Sequence, residues 1–119
     1  MSADDRVELD DRAAWRAWLE ANHDAADGVW LVTWKKATGR RRVDYDAAVE
    51  EALCVGWIDS KVRSVDDERT SVYFTPRRPT SSWSASNVAR VEKLEAAGLM
   101  RDSGRRAVGE AKRLGRWPA

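Results

Sequence analysis

The sequence contains one cysteine, Cys54, and one histidine, His23, in 119 residues. A single cysteine excludes an intrachain disulfide, and a reducing compartment such as the cytoplasm is then the simpler location. One cysteine and one histidine are also too few for a zinc site, which needs several such ligands. We therefore expect no metal and no other cofactor.

The sequence also lacks the patterns that mark a catalytic centre. A Cys–His nucleophile pair requires the two side chains to meet in space beside a third group, and the spacing of Cys54 and His23 does not indicate this. The glycines stand singly, so no glycine-rich phosphate loop is present. These absences favour a protein that is not an enzyme.

Long apolar runs are missing as well. Residues 1–11 carry several acids and no apolar run, so neither a secretory signal nor a membrane span is predicted there. The length fits a single domain with one hydrophobic core. We therefore expect one cytoplasmic domain over residues 1–119.

Charge is distributed unevenly along the chain. Residues 1–75 carry 11 Lys and Arg and 16 Asp and Glu, a net charge of −5, whereas residues 76–119 carry 10 and 4, a net charge of +6. A basic C-terminal third can attract an acidic partner. It is equally compatible with packing beside the acidic part of its own domain.

The spacing of apolar residues predicts an α+β fold, in which a small antiparallel sheet of three to four strands packs with about four helices. Helices are predicted from Asp10 or Asp11 to about Asn22, from Asp44 to just before Gly56, from Ser82 or Ser84 to Gly98, and from about Ser103 to Leu114. Strands are predicted at residues 29–34, 57–63 and 71–75, and the last two form a hairpin across an acidic turn.

Residues 57–63 alternate in a way that places Trp57, Asp59, Lys61 and Arg63 on one face of a strand. Unpaired charges cost several kcal/mol in an apolar interior, so this face must be solvated, internally paired or matched to a ligand. The candidate ligand- or partner-binding residues are Trp57, Asp59, Lys61, Arg63, Arg77, Arg78, Trp83 and Asn87.

Five of these residues have a predicted role in recognising an anionic small molecule or an acidic protein surface. Arg77 and Arg78, held between two prolines, are suited to bind a carboxylate or phosphate. Trp57 and Trp83 would supply apolar contact, and Asp59 would hold the cations in position.

Three other interpretations remain open. In a purely structural one, Asp59 pairs with nearby cations and Trp83 docks the third helix. In the second, the basic C-terminal third and the basic loop at residues 35–42 bind nucleic acid. In the third, a pocket around Asp59 and Lys61 belongs to a small enzyme.

Beyond these patterns, long stretches of the sequence resemble a known family. The central matching segments are residues 53–63, 67–69, 74–79, 83–84, 87 and 89–91, with further agreement at 29–36, 44–53, 98 and 115–117. Together they resemble the YdeI/OmpD-associated family of bacterial proteins, also called bacteriocin-protection proteins. The sequence departs from that family at Val55, where an aromatic residue is common, and at Ala85, where a lysine is common.

This resemblance implies a cytoplasmic bacterial protein linked to resistance against bacteriocins or antimicrobial peptides and to the porin OmpD. It implies no established reaction and no catalytic residues. The absence of a lysine at position 85 removes one positive charge from the predicted binding face.

Overall fold

A computed structural model describes residues 5–118. The predicted α+β class is confirmed, with four α-helices and one four-stranded sheet. The elements are β1 (Arg6–Glu8), α1 (Arg12–Asn22), β2 (Val29–Trp34), α2 (Tyr45–Cys54), β3 (Trp57–Ser64), β4 (Arg69–Pro76), α3 (Ala85–Ala96) and α4 (Asp102–Arg113), with a short 3-10 helix at Lys36–Thr38. Residues 1–4 and 119, which belong to the predicted domain, lie outside the described residues.

The helices begin and end where the sequence chemistry predicts. The Asp11 carboxylate accepts a hydrogen bond of 2.8 Å from the backbone N–H of Ala14 and so caps α1. The Ser84 hydroxyl accepts one of 3.2 Å from the N–H of Asn87 at the start of α3. After α2, Gly56 adopts a φ of 85°, which lets the chain turn directly into β3.

The sheet has the strand order β1-β2-β4-β3. The hairpin of β3 and β4 is antiparallel as predicted, and β4 also pairs antiparallel with β2. The outermost strand β1 runs parallel to β2, so the sheet is mixed and not purely antiparallel. Sequence patterns missed β1 because its three residues contain a single apolar side chain, Val7, and its pairing depends on a distant partner.

A β-bulge at Ser60 interrupts the alternation of β3. Asp59 pairs with Phe74, but Lys61 pairs with the adjacent residue Tyr73. Directly paired residues point to the same face, and adjacent residues of a strand point to opposite faces. Asp59 and Lys61 therefore lie on opposite faces of the sheet, and the predicted common face for positions 57, 59, 61 and 63 is wrong.

The helices cover only one face of the sheet. Trp15 of α1 is fully buried, lies 5.0 Å from Phe74 between ring centroids, and donates through Nε1 to the Ala48 carbonyl of α2. The core cluster contains Val29, Leu31, Val72 and Phe74 from this face. The opposite face, which carries Trp30 and Tyr73, is here called the outer face.

Acidic side chains on α2 fasten the helices together. Glu51 accepts two hydrogen bonds of 2.8 Å from Arg16 of α1. Glu50 is bound by Arg12 of α1 at 3.0 Å and by Lys93 of α3 at 2.6 Å. Both glutamates are buried, so these ion pairs fix α1 and α3 against α2.

None of the helices in the described part of the chain has the length and hydropathy that crossing a bilayer requires.

Candidate functional site

The eight predicted binding residues do not form one surface. They lie in three places: the helix-covered side of the sheet, its outer face, and the segment between β4 and α3. Trp57 is only 1% exposed and belongs to the core, where its Nε1 donates to the His23 carbonyl at 3.2 Å. It is therefore a packing residue and has no surface with which to bind a ligand.

Asp59 is half-buried and accepts a hydrogen bond from the phenol of Tyr45. Burial, together with that bond and the negative charge of Asp59, raises the pKa of Tyr45 to about 12. Among the described residues Asp59 forms no salt bridge, so it does not pin Lys61, Arg63 or Arg77. Its partner is a neutral phenol from the start of α2.

Lys61 and Arg63 lie on the outer face. The guanidinium carbon of Arg63 is 4.7 Å from the ring centroid of Trp30, a cation–π distance. Lys61 is exposed. The enzyme pocket predicted around Asp59 and Lys61 is not formed, because the bulge separates these side chains by the thickness of the sheet.

Arg77 and Trp83 lie together in a longer stack, but Trp83 is 6% exposed and belongs to the core, so its predicted apolar contact is made within the domain. The guanidinium carbon of Arg77 is 3.8 Å from the Trp83 ring centroid, and Trp83 is 5.0 Å from Trp117. The ammonium of Lys112 lies 5.1 Å from Trp117. Two indole rings are thus enclosed between two cations, and we call this arrangement the tryptophan stack.

The positive charge of Arg77 is not neutralised by a carboxylate in residues 5–118. Its Nη2 donates to the Ser82 carbonyl at 2.6 Å, while its buried Nε has no hydrogen-bond partner. Burial lowers the pKa of Arg77, and the nearby charge of Asp59 opposes this effect. The burial of this charge is therefore unfavourable.

The two remaining predicted residues, Arg78 and Asn87, are not part of the tryptophan stack. Arg78 is exposed and follows directly after Arg77. Asn87 lies in the first turn of α3, where its Oδ1 accepts a hydrogen bond of 3.0 Å from Arg90. Arg90 in turn is paired with Asp46 at 2.8 Å. Asn87 therefore orients a neighbouring side chain and is not directed toward the tryptophan stack.

The tryptophan stack stands at one end of a groove between α3 and α4. Both helices pack against α2 but contact each other little, which leaves a cavity of about 570 Å³. Its walls are apolar and comprise Val91, Ala96, Met100, Val108 and Trp117. This volume lies within the range of roughly 300–1,000 Å³ that is usual for small-molecule sites.

The charges around the groove differ between its two ends. Glu95 and Arg105 form a salt bridge of 3.2 Å and neutralise each other. At the Trp117 end, Lys112 and Arg116 have no salt-bridge partner within the described ranges, and the Arg116 carbonyl accepts a bond from the N–H of Trp83. Of the two acids that line the groove, Glu92 forms no salt bridge within the described residues.

Two glycines of α4 have contrasting surroundings. A Cβ on Gly104 would lie 2.2 Å from the carbonyl oxygen of Cys54, so this glycine allows α4 to approach α2 closely. A Cβ on Gly109 would meet nothing within 4 Å, and Gly109 lines the groove. A glycine inside a helix costs about 1 kcal/mol relative to alanine. The close approach of α4 to α2 explains why position 104 is a glycine. At position 109 the glycine leaves space in the groove.

The basic C-terminal third is partly neutralised by the domain itself. Five of its ten cations are paired with carboxylates, and Arg90, Lys93 and Arg101 bind Asp46, Glu50 and Glu20 of the acidic part. The basic loop at residues 35–42 begins beside Arg69, at the other end of β4 from Arg77. At roughly 3.4 Å per residue, β4 separates them by about 24 Å, so they form no continuous positive surface.

Cys54 and His23 have separate structural roles. Cys54 is buried in the core, and burial with the nearby charge of Glu51 raises its pKa to about 11, which disfavours the reactive thiolate. His23 caps the end of α1. Within residues 5–118, no group of three or more His, Cys, Asp or Glu side chains is placed to hold a metal ion.

Sequence patterns did not identify the groove or the second half of the tryptophan stack. Trp117 and Lys112 are separated from Trp83 by about 30 residues, and only the tertiary fold brings them together. The one local signal is Gly109, an isolated glycine inside a helical pattern, which in general marks a packing or functional constraint.

Comparisons with known proteins give one match. No curated protein and no solved structure is significantly similar to the chain. Residues 7–107, most of the chain, match the family described as "Domain of unknown function (DUF8412)". The chain belongs to this family.

Proposed function

We propose that this protein is a non-catalytic binding protein for amphiphilic anions, molecules with an apolar body and one negatively charged group. The apolar body would lie in the groove between α3 and α4, and the charged group would lie at the tryptophan stack. The observation that carries the proposal is that an apolar groove of about 570 Å³ ends at Trp117, whose cationic neighbour Lys112 forms no salt bridge within residues 5–118.

The charge arrangement supports an anion over a cation. Lys112 covers Trp117 directly, and Arg77 covers Trp83 on the far side of the same ring pair. Glu95, the acid that would attract a cation at the other end, is already neutralised by Arg105. A carboxylate or phosphate at the Trp117 end would therefore meet Lys112, with Arg77 on the far side of the two rings and Glu92 as the competing acid of the groove.

Isothermal titration calorimetry with decanoate and decyltrimethylammonium, both below the concentrations at which they form micelles, tests this proposal. We expect decanoate to bind with one site per chain and decyltrimethylammonium to bind at least about tenfold more weakly, a difference of about 1.4 kcal/mol. Lys112→Ala should weaken decanoate binding and leave that of decyltrimethylammonium unchanged.

Gly109→Leu places a side chain into the groove and should abolish decanoate binding while the chain remains folded. Ala89→Leu makes the same kind of change at an exposed position of α3 that does not line the groove, so it is the matched control. Equal affinity for the two amphiphiles, or decanoate binding that survives Gly109→Leu, would overturn the proposal.

Nucleic-acid binding by the basic C-terminal third is the competing proposal. Titration with a duplex oligonucleotide in low-salt buffer separates the two. Affinity that falls with salt, with a log–log slope of about −0.9 for each phosphate contacted, would favour it. Lack of binding in low salt would dismiss it.

From the sequence resemblance alone, we also propose a cytoplasmic location and a link to bacteriocin protection. Expression of the chain in a bacteriocin-sensitive bacterium tests this link through survival after exposure. The Gly109→Leu variant shows whether protection depends on the groove. Survival no better than that of cells without the chain would contradict the proposed link.

A further inference from the structure

The outer face of the sheet carries a row of side chains that runs across all four strands. Arg6 pairs with Trp30, Trp30 with Tyr73, and Tyr73 with Lys61. The rings of Trp30 and Tyr73 are 5.0 Å apart between centroids. Two aromatic rings are therefore flanked by cations on the face that the helices leave uncovered.

Arg6 and Arg63 line the same recess on this face. The recess has a volume of about 170 Å³ and is also lined by Trp30, Ser64 and Ser71. In residues 5–118, neither Arg6 nor Arg63 forms a salt bridge. Two guanidinium groups that face one small space repel each other, and an anion between them would replace that repulsion with two attractions.

The acids of the outer face are engaged elsewhere. Glu8 and Asp66 both form salt bridges with Arg69, at 2.5 Å and 3.1 Å respectively. Asp66 also accepts backbone bonds from Glu68 and Arg69, which lower its pKa and hold it in the hairpin turn. These carboxylates are therefore fixed on Arg69, and no acid of residues 5–118 forms a salt bridge with Arg6 or Arg63.

Hydrogen bonds hold the walls of the recess in position. Ser71 is 3% exposed and donates to the Arg63 carbonyl at 2.8 Å, which fixes the backbone beneath the guanidinium. Ser64 accepts a bond of 2.9 Å from the ammonium of Lys35, so a third cation lies at the edge. Arg63 itself rests on Trp30.

We propose that this recess binds a phosphate group through Arg6 and Arg63. Paired guanidinium forks suit a tetrahedral oxyanion, and the small volume admits one such group with little else. The site is on the opposite side of the sheet from the α3–α4 groove and does not depend on the function proposed for that groove. The phosphate is either free or carried by a larger ligand whose aromatic part reaches Tyr73.

Calorimetric titration at constant ionic strength with inorganic phosphate and with phenyl phosphate tests the site. We expect saturable binding of one phosphate per chain, weakened at least tenfold by Arg6→Gln and by Arg63→Gln. Phenyl phosphate binding more tightly than inorganic phosphate supports a ligand-borne group, and equal affinity supports free phosphate. Arg63→Lys keeps the charge but removes the fork, so it should weaken binding without loss of the fold.

Arg106→Gln is the matched control, because Arg106 is an exposed arginine of α4 without a salt bridge in the described residues. It should leave phosphate affinity unchanged, as should Gly109→Leu. An equal loss of affinity in Arg106→Gln, or no saturable binding of either phosphate, would show diffuse surface charge in place of a site and overturn the proposal.

Discussion

The guanidinium carbon of Arg77 lies 3.8 Å from the ring centroid of Trp83, and the buried Nε of that guanidinium has no hydrogen-bond partner among residues 5–118. The contact is favourable as a cation–π interaction, worth up to about 2 kcal/mol when it is desolvated. The burial of unneutralised charge opposes it, as the lowered pKa of Arg77 indicates. Arg77 thus stabilises the fold through its apolar stem more than through its charge.

We predict that Arg77→Met changes the free energy of unfolding by less than about 1 kcal/mol, because methionine keeps the apolar contact with Trp83 and removes the buried charge. Decanoate affinity should fall less in the same variant than in Lys112→Ala, since Arg77 does not line the groove. Urea unfolding and calorimetry measure the two effects. Arg78→Met, at an exposed position, should change neither; a loss of stability in Arg77→Met as large as that of a core truncation would contradict this account.

The two α4 glycines should respond in opposite directions to alanine. Gly109→Ala should raise the free energy of unfolding by about 1 kcal/mol, since the new methyl group meets nothing and alanine favours the helix. Gly104→Ala should lower it, because its Cβ would collide with the Cys54 carbonyl. Urea unfolding of both variants measures the two changes in the free energy of unfolding. An increase in both variants would show that helix propensity alone determines the effect of alanine.

Tyr45 should ionise well above the usual range of a tyrosine. Its folded pKa is about 12 against an ordinary value of 10.0, so the folded state holds the phenolic proton more tightly than the unfolded state. This contribution to stability is present below pH 10 and is lost as the pH rises toward 12. Ultraviolet titration of tyrosinate in the wild type and in Tyr45→Phe separates Tyr45 from Tyr73, the only other tyrosine.

Asp59→Asn should lower the pKa of Tyr45, because it removes both the charge and the strong acceptor. An unchanged tyrosinate titration in Asp59→Asn would mean that burial alone raises the pKa.

Glu51 should make the fold sensitive to acid. Burial raises the pKa of Glu51, but hydrogen bonds from Arg16 and Arg12 outweigh that effect, and the net pKa is lowered. The stabilisation is therefore present above the unfolded pKa and is lost as the pH falls through the lower folded value. Glu51→Gln should cost about 2 kcal/mol at pH 7, since it leaves Arg16 without a counter-charge and Arg12 with Glu50 alone.

Urea unfolding between pH 7 and pH 3 should show a smaller acid-induced loss in Glu51→Gln than in the wild type. Glu92→Gln, an exposed glutamate without an ion-pair partner in the described chain, is the control and should follow the wild type. Parallel pH profiles for wild type and Glu51→Gln would rule out this role.

The local signals in the sequence predicted those elements whose pattern is complete within a few residues. Asp11 and Ser84 cap helices by their own side chains, and the apolar run Val29–Trp34 is long enough to indicate a strand. The bulge at Ser60 could not be predicted, because it arises from the register between β3 and β4 and leaves no mark in the alternation itself.

The candidate site was predictable only in part. The contact of Arg77 with Trp83 spans six residues along the chain, and local restriction by Pro76 and Pro79 favoured it. Trp117 and the splay of α3 from α4 depend on how both helices pack against α2. The burial of Glu50 and Glu51 does not follow from the apolar spacing of α2, because it depends on cations delivered by α1 and α3.

The β-bulge at Ser60 also determines which face of the sheet a substitution in β3 affects. Before Ser60, Trp57 and Asp59 face the helix-covered side of the sheet, whereas after it Lys61 and Arg63 face the uncovered side. Either surface can thus acquire new specificity without disturbing the other, although both are encoded within one short hairpin. Deleting Ser60 would move the side chains of the following residues to the opposite face of the sheet, and the two faces could then no longer vary independently.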